Sequence, residues 1–276
     1  MKKVVLMMVF TLSSILSFGQ IKSNEAKLQL VRNATLVIDY AGKKILIDPM
    51  LSPKGAIDSW AGIAKNPTVE LKMPVEEIVK DVDLVIVTHT HEDHFDKPAS
   101  LALNKSTELI IQPADKDFFK KEGFINANVL QDEKVWNDIK ITRVDGQHGT
   151  GEVLKQMGET SGFVLQAKNQ PTVYLVGDTV LTENILNVIK KFNPDYIIVN
   201  SGGAMLRSFG NIPIILDEDQ TMALIGASGK AKIIAVHMDA LDHCFTTRTI
   251  LKNKAEVLQI TDDKLIIPED GEIIKL

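Results

Sequence analysis

Cysteine is nearly absent. Cys244 stands alone in 276 residues, so no internal disulfide can brace the chain in any compartment. The fold must rest on an apolar core, helped by bound metal if there is any. Cys244 itself is expected to be a small buried hydrophobe. No unbroken apolar run approaches the roughly 20 residues that a membrane-spanning helix needs. Lysine and arginine form no stripe or cluster and the net charge is −5, which leaves no electrostatic footprint for nucleic acid. There is no repeat and no low-complexity tract. Past residue 20 no shift in composition marks a second domain.

What is present at the N-terminus is a three-part leader. Lys2 and Lys3 precede the apolar run 4–10, which continues through Leu12 and Ile15. Ser17 and Gly19 then occupy the −3 and −1 positions of a cleavage site before Gln20. The expectation is a signal peptide over 1–19 and a secreted or periplasmic mature domain over 20–276, without a stable membrane anchor.

The rest alternates short apolar segments with turn residues. Segments 28–31, 35–39 and 44–47 read as a strand meander, with Ala41–Gly42 turning between the last two. The run DLVIVT over 83–88 is apolar throughout, as in a strand buried on both faces. Further strands are expected at 108–111, 140–144, 162–167, 172–176, 196–199 and 232–236. Helical patterns fit 75–80, 114–121, 183–191, 218–227 and 247–259. This mixture predicts sheets covered by helices. Residues 50–74 carry five prolines and glycines and little periodicity; a loop of that length is usually functional or disordered.

Three of the six histidines fall in His89-Thr90-His91-Glu92-Asp93-His94, directly after the DLVIVT strand. A rigid strand end can aim such side chains, and Asp96 is placed to cap the helix that follows. Imidazole and carboxylate are natural ligands of zinc and similar ions. His89 and His91 alternate and point the same way, leaving Asp93 and His94 for a second ion. Four ligands are too many for one open site and too few for two. Three later donors also sit just past strands: His148, Asp178 in Gly177-Asp178-Thr179, and His237. Taken singly, each is more simply a loop or turn residue. As a set with His-x-His-x-Asp-His, they predict a metal centre.

The segments RNATLVIDYAGKKILIDPM, VTHTHEDHFD, GDT, IIVNSGGA and AVHMDALDHC resemble the metallo-β-lactamase superfamily, and within it the ascorbate-6-phosphate lactonase-like hydrolases. The resemblance runs from about Leu28 to Leu276 and implies a four-layer αβ/βα sandwich with metals at one edge. It implies that His89, His91 and His148 hold one divalent ion, that Asp93, His94 and His237 hold the other, and that Asp178 bridges them. Zinc suits these ligands, and manganese or iron accept the same set. Two such ions with Asp93, Asp178 and a bridging hydroxide keep a residual positive charge. Metal can bring the pKa of water from 15.7 to about 7, which makes a hydroxide nucleophile available for an ester, lactone, amide or phosphoester.

Other positions are candidates for support. Asp93 is a candidate for catalysis as well as for metal binding. Asp48 is placed to orient a ligand histidine, or simply ends a strand. The resemblance gives His243 a role in binding substrate or donating a proton. Arg207 is a candidate clamp for an anionic substrate, against the plainer reading of a solvated loop arginine. The 50–74 loop is expected to rim the metal cleft with Trp60, Met50 or Leu51 toward a small-molecule substrate, opposite Arg207 and His243. A true β-lactamase lacks the bridging Asp. A glyoxalase-II-like thioesterase shares THTHEDH but normally has a larger helical C-terminal region. A metal-bound binding protein without turnover would leave the open ligand set unexplained. Oligomeric state is open.

Overall fold

The computed structural model describes residues 25–206, 210 and 212–276; the expected leader over 1–19 and Arg207 lie outside these residues. Two seven-stranded sheets pack face to face. The first is built from β1 (Lys27–Arg32), β2 (Thr35–Tyr40), β3 (Lys43–Ile47), β4 (Leu84–Val87), β5 (Leu109–Ile111) and β6 (Ala127–Val129). The second contains β7 (Glu133–Trp136), β8 (Ile139–Asp145), β9 (Ser161–Gln166), β10 (Val173–Leu175), β11 (Tyr196–Asn200), β12 (Lys232–Val236) and β13 (Leu265–Ile266). The final strand, β14 (Ile273–Lys275), returns to the first sheet beside β1.

Strand alternation explains the layering. Leu84 and Ile86 of β4 enter the core between the sheets, whereas Val85 and Val87 enter the core on the outer face. In β11 and β12, Ile198, Ile234 and Val236 face the inner core, while Ile197, Val199, Ile233 and Ala235 face outward. Period-two patterning with both faces apolar requires a cover on each side. Helices α1 (Val75–Val79), α2 (Lys97–Ala102) and α3 (Lys116–Lys121) cover the first sheet. After α4 (Gly151–Met157), helices α5 (Glu183–Phe192), α6 (Glu218–Ala227) and α7 (Arg248–Val257) cover the second. The layers run α, β, β, α, the sandwich that the resemblance implies. None of the described helices is long and apolar enough to cross a membrane.

Local signals place most of these elements. Ala41 and Gly42 both have positive φ, 51° and 75°, as a two-residue hairpin turn requires, and Tyr40 pairs with Lys43 across it. Asp217 caps α6 by accepting from Gln220 N at 2.8 Å, and Thr247 caps α7 by accepting from Ile250 N at 3.1 Å. The sequence reading missed α4 and the short strands β6, β7, β13 and β14.

The topology also gathers the site. β3, β4 and β5 run parallel, as do β10, β11 and β12. Parallel neighbours bring their carboxyl ends side by side, so Asp48, Thr88, Asp178, Asn200 and His237 emerge at one edge. Hydrogen bonds join the sheets there: Ser161 N donates to Thr88 O at 3.1 Å, and His237 N donates to Asn33 O at 3.0 Å.

Candidate metal centre

The segment after β4 turns sharply, because the amides of His94 and Phe95 both donate to His91 O. Asp96 accepts from Ala99 N at 2.8 Å, starting α2, and from Ser52 N at 2.6 Å. Thr90 Oγ1 donates to the buried Asp115 at 2.9 Å, which fixes the stretch between His89 and His91. Asp178 follows a turn that only glycine fits well. Gly177 has φ +73°, and a Cβ there would lie 2.6 Å from Ser161 O.

Two adjoining groups of donors result. His89, His91 and His148 form one; Asp93, His94, Asp178 and His237 form the other. In the first, His91 Nδ1 lies 2.9 Å from His89 Nε2 and 3.3 Å from His148 Nε2. In the second, His94 Nε2 lies 3.3 Å from His237 Nε2 and 3.1 Å from Asp178 Oδ2, and His237 Nε2 lies 3.2 Å from Asp93 Oδ2. Asp178 Oδ2 also lies 3.5 Å from His148 Nε2 and 4.0 Å from His89 Nε2, so it stands between the groups.

These separations fit a divalent ion. Two ligands at about 2.05 Å from one ion and at tetrahedral angles are about 3.3 Å apart. Asp93 and Asp178 are buried, and their ion-pair partners among the described residues are histidines, with no lysine or arginine. Such carboxylates call for a compensating cation. The imidazoles show the same demand. Burial, the largest influence, lowers His94, but Asp178, Asp93 and Asp48 outweigh it and push it up to about 10. His237 is also held well above the usual range, with Asp178 the main influence opposing burial. In the other group, burial pulls His148 down to about 4 and His89 well below its ordinary value.

Outer partners hold the rings. Asp48 Oδ2 lies 2.8 Å from His94 Nδ1, and Asp48 also accepts from Thr88 N and Thr88 Oγ1, each at 2.7 Å. His148 Nδ1 lies 2.8 Å from Ile214 O, and His237 Nδ1 lies 3.5 Å from the Cys244 thiol. Burial pushes that thiol's pKa up. Such contacts select which ring nitrogen faces inward. Asn200 Nδ2 donates to Asp178 Oδ1 at 2.5 Å, leaving Oδ2 turned to the histidines. Asn33 Nδ2 donates to Asp93 O at 3.1 Å. Sequence reasoning passed over Asn33 and Asn200, although Asn200 ends an apolar strand just as Asp178 follows one.

Beside the donors lies a cleft of about 230 Å³, lined by Trp60, His91, Glu92, Asp93, His148, Met157, Asp178, Leu206, Ile214 and His243. All six histidines therefore belong to the centre or its cleft. His243 is buried, its Nδ1 has no hydrogen-bond partner, and its ring meets Trp60 edge-on with centroids 4.9 Å apart. The 50–74 loop is on the side of the cleft, with Trp60 in its wall, beside His243 rather than opposite it. Met50 and Leu51 are not there: Met50 belongs to the apolar cluster behind the wall and Leu51 to the core under α1–α3. Arg32 explains their burial. Its guanidinium donates to Met50 O at 3.1 Å and Ser52 O at 2.8 Å, drawing the start of the loop inward. Met157 and Leu206, missed from sequence, come from α4 and the segment after β11.

Residues 43–238 match the family model described as the Beta-lactamase superfamily domain. The chain belongs to this superfamily. The UPF0173 protein YddR of Bacillus subtilis (strain 168) is 37% identical over 88% of this chain and 96% of its own length. Two solved structures are similar throughout. A possible metal-dependent hydrolase from Veillonella parvula DSM 2008 superposes with TM-score 0.87 at 33% identity, covering 91% of this chain and 100% of its own. An isothiocyanate hydrolase from Delia radicum gut bacteria gives TM-score 0.83 at 38% identity, covering 91% and 99%. The superfamily fold accounts for the two sheets and for the donors at their shared edge.

Proposed function

We propose that this chain is a hydrolase dependent on two divalent ions, zinc by preference of the ligands, acting on an ester, lactone or phosphoester of a small molecule. The observation that carries the reading is the convergence of seven donors from four strand ends, with Asp178 Oδ2 between the two groups. His89, His91 and His148 would hold one ion, and Asp93, His94 and His237 the other, with Asp178 shared. Bound there, the ions would supply Lewis acidity and an acidified water.

The chain's own residues do the rest. Asp48 and Asn200 fix His94 and Asp178 before substrate arrives, so little reorganisation is left for the reaction. Trp60 forms one side of the cleft. His243, with a ring nitrogen free of protein partners, is placed to pass a proton to the departing oxygen, and Asp93 shares the cleft with it. In ester or lactone cleavage the acyl–oxygen bond breaks, the water oxygen joins the carbonyl carbon, and one water proton ends on the released alcohol.

The test is a screen of metal-loaded protein against lactones, esters, phosphodiesters, thioesters and isothiocyanates, with elemental analysis. The isothiocyanates enter because a relative hydrolyses them. Asp178→Ala should lose one metal equivalent and nearly all turnover; retention of both would remove the bridging role.

The mature chain is proposed to start at Gln20 and to act outside the cytoplasm. N-terminal sequencing of protein from the native host should read Gln20 first. A start at Met1 in the cytosolic fraction would defeat this.

A further inference from the structure

The cleft wall has a chemistry that the metal ligands do not require. Trp60, Met157, and Leu206 with Ile214 reach it from three separate stretches of chain. They are the outer surface of a buried apolar cluster that includes Met50, Val153, Ala204, Ile215 and Leu241. The wall is therefore backed by packed side chains. Its tryptophan side is also fixed in place. Asp242 accepts from Trp60 N at 3.1 Å, Ala61 N at 3.1 Å, Ile63 N at 3.2 Å, Ala64 N at 3.3 Å and Asn66 Nδ2 at 2.9 Å, as well as from Ser59 Oγ. This ties the tryptophan loop to the residue beside His243. A wall fixed before binding spends little affinity on ordering itself.

Two further features limit what can sit there. The volume, about 230 Å³, is below the roughly 300–1,000 Å³ of clefts for drug-sized ligands. Glu92 also lines the cleft and no described lysine or arginine does, so a charged group seated on the apolar wall would lose its water with no protein cation to replace it.

We infer that the cleft selects small uncharged molecules that carry a compact apolar group. That group seats against Trp60, Met157, Leu206 and Ile214, and the electrophilic carbon sits over the donor cluster. The inference rests on the hydrolase reading and narrows it from phosphoesters toward neutral carbonyl-type substrates.

The experiment uses zinc-loaded full-length protein and γ-lactones with alkyl substituents of one to four carbons, beside the same series ending in a carboxylate. The expected result is kcat/KM rising about four-fold per methylene in the neutral series, with the carboxylate series slower at every length. Leu206→Lys and Met157→Lys, both at half-buried positions, should each flatten the neutral series and raise the anionic one. Binding is read separately, through tryptophan fluorescence during titration with non-hydrolysable 2-alkylcyclopentanones. Affinity should rise with alkyl length and lose that dependence in both lysine variants. Graded binding without turnover of any lactone would uphold the apolar seat and take lactones out of the hydrolase reading, which the wider screen then tests by itself. Turnover that is flat across alkyl length, or faster for the carboxylates, would overturn the inference and leave the hydrolase reading intact. Absence of graded binding also overturns it.

Discussion

Asp242 shows how one carboxylate can organise a loop. Burial raises its pKa, but hydrogen bonds from Ser59, Asn66 and the amides of Ile63 and Ala64 outweigh burial and hold the carboxyl well below its usual range. A group with a depressed folded pKa stabilises the protein above its unfolded value of about 3.9, and that contribution fades as pH falls through the folded value. Asp242→Asn keeps the shape and one acceptor oxygen but loses the charge. It should cost about 1–3 kcal/mol at pH 6. The gap from wild type should narrow in urea melts below pH 4. An equal gap at pH 6 and pH 3 would mean that the charge is not what holds the loop.

At the scale of elements, the 50–74 loop and the strand ends behave differently. Strand ends present donors whose positions follow from sheet pairing, such as Asn200 opposite Val236. The loop is held instead by long-range contacts, Arg32 to Met50 and Ser52, Asp96 to Ser52, and Asp242 to Ser59 and Asn66, and by the Ile57–Asn66 bridge within it. Replacing residues 58–65 by a short glycine linker should leave both donor groups intact, since none of their residues lies in the segment. KM should rise by about ten-fold or more as Trp60 and its wall are lost, a scale set by burial of a large apolar side chain. Unchanged KM with lowered stability would make the loop structural packing only.

Across the whole molecule, the centre is a clasp between two sheets. The first sheet brings Asp48 and His89–His94; the second brings His148, Asp178, Asn200 and His237. An ion held by both would stabilise the folded state by about 3–4 kcal/mol at 100 to 1,000 times its dissociation constant. At roughly 2–4 °C per kcal/mol for a chain of similar size, chelation should lower Tm by about 6–16 °C, and added zinc should restore it. A Tm indifferent to chelation, with elemental analysis showing the metal gone, would separate the ions from the joining of the sheets.

Much of the fold was legible in the chain because its signals are local. DLVIVT reads as a strand covered on both faces, Ala41–Gly42 as a hairpin turn, and Asp96 as a helix cap; the structure has each of them. The donor residues were legible too, since His-x-His-x-Asp-His is compact and each later donor trails an apolar strand. The missed elements lack such signals. Strand β14 has three residues and exists because β1, near the other end of the chain, offers it an edge. Helix α4 begins on Gly151, ends at Gly158 and buries only Val153. Sequence alone determined which side chains could hold metal and that sheets would carry them. Tertiary structure decided which nitrogen of each histidine faces inward, that Asn200 holds the Asp178 oxygen Oδ1, and that Met157 and Leu206 share a wall with Trp60. Those outcomes depend on parallel pairing and on packing between residues far apart in the chain, which no local pattern records.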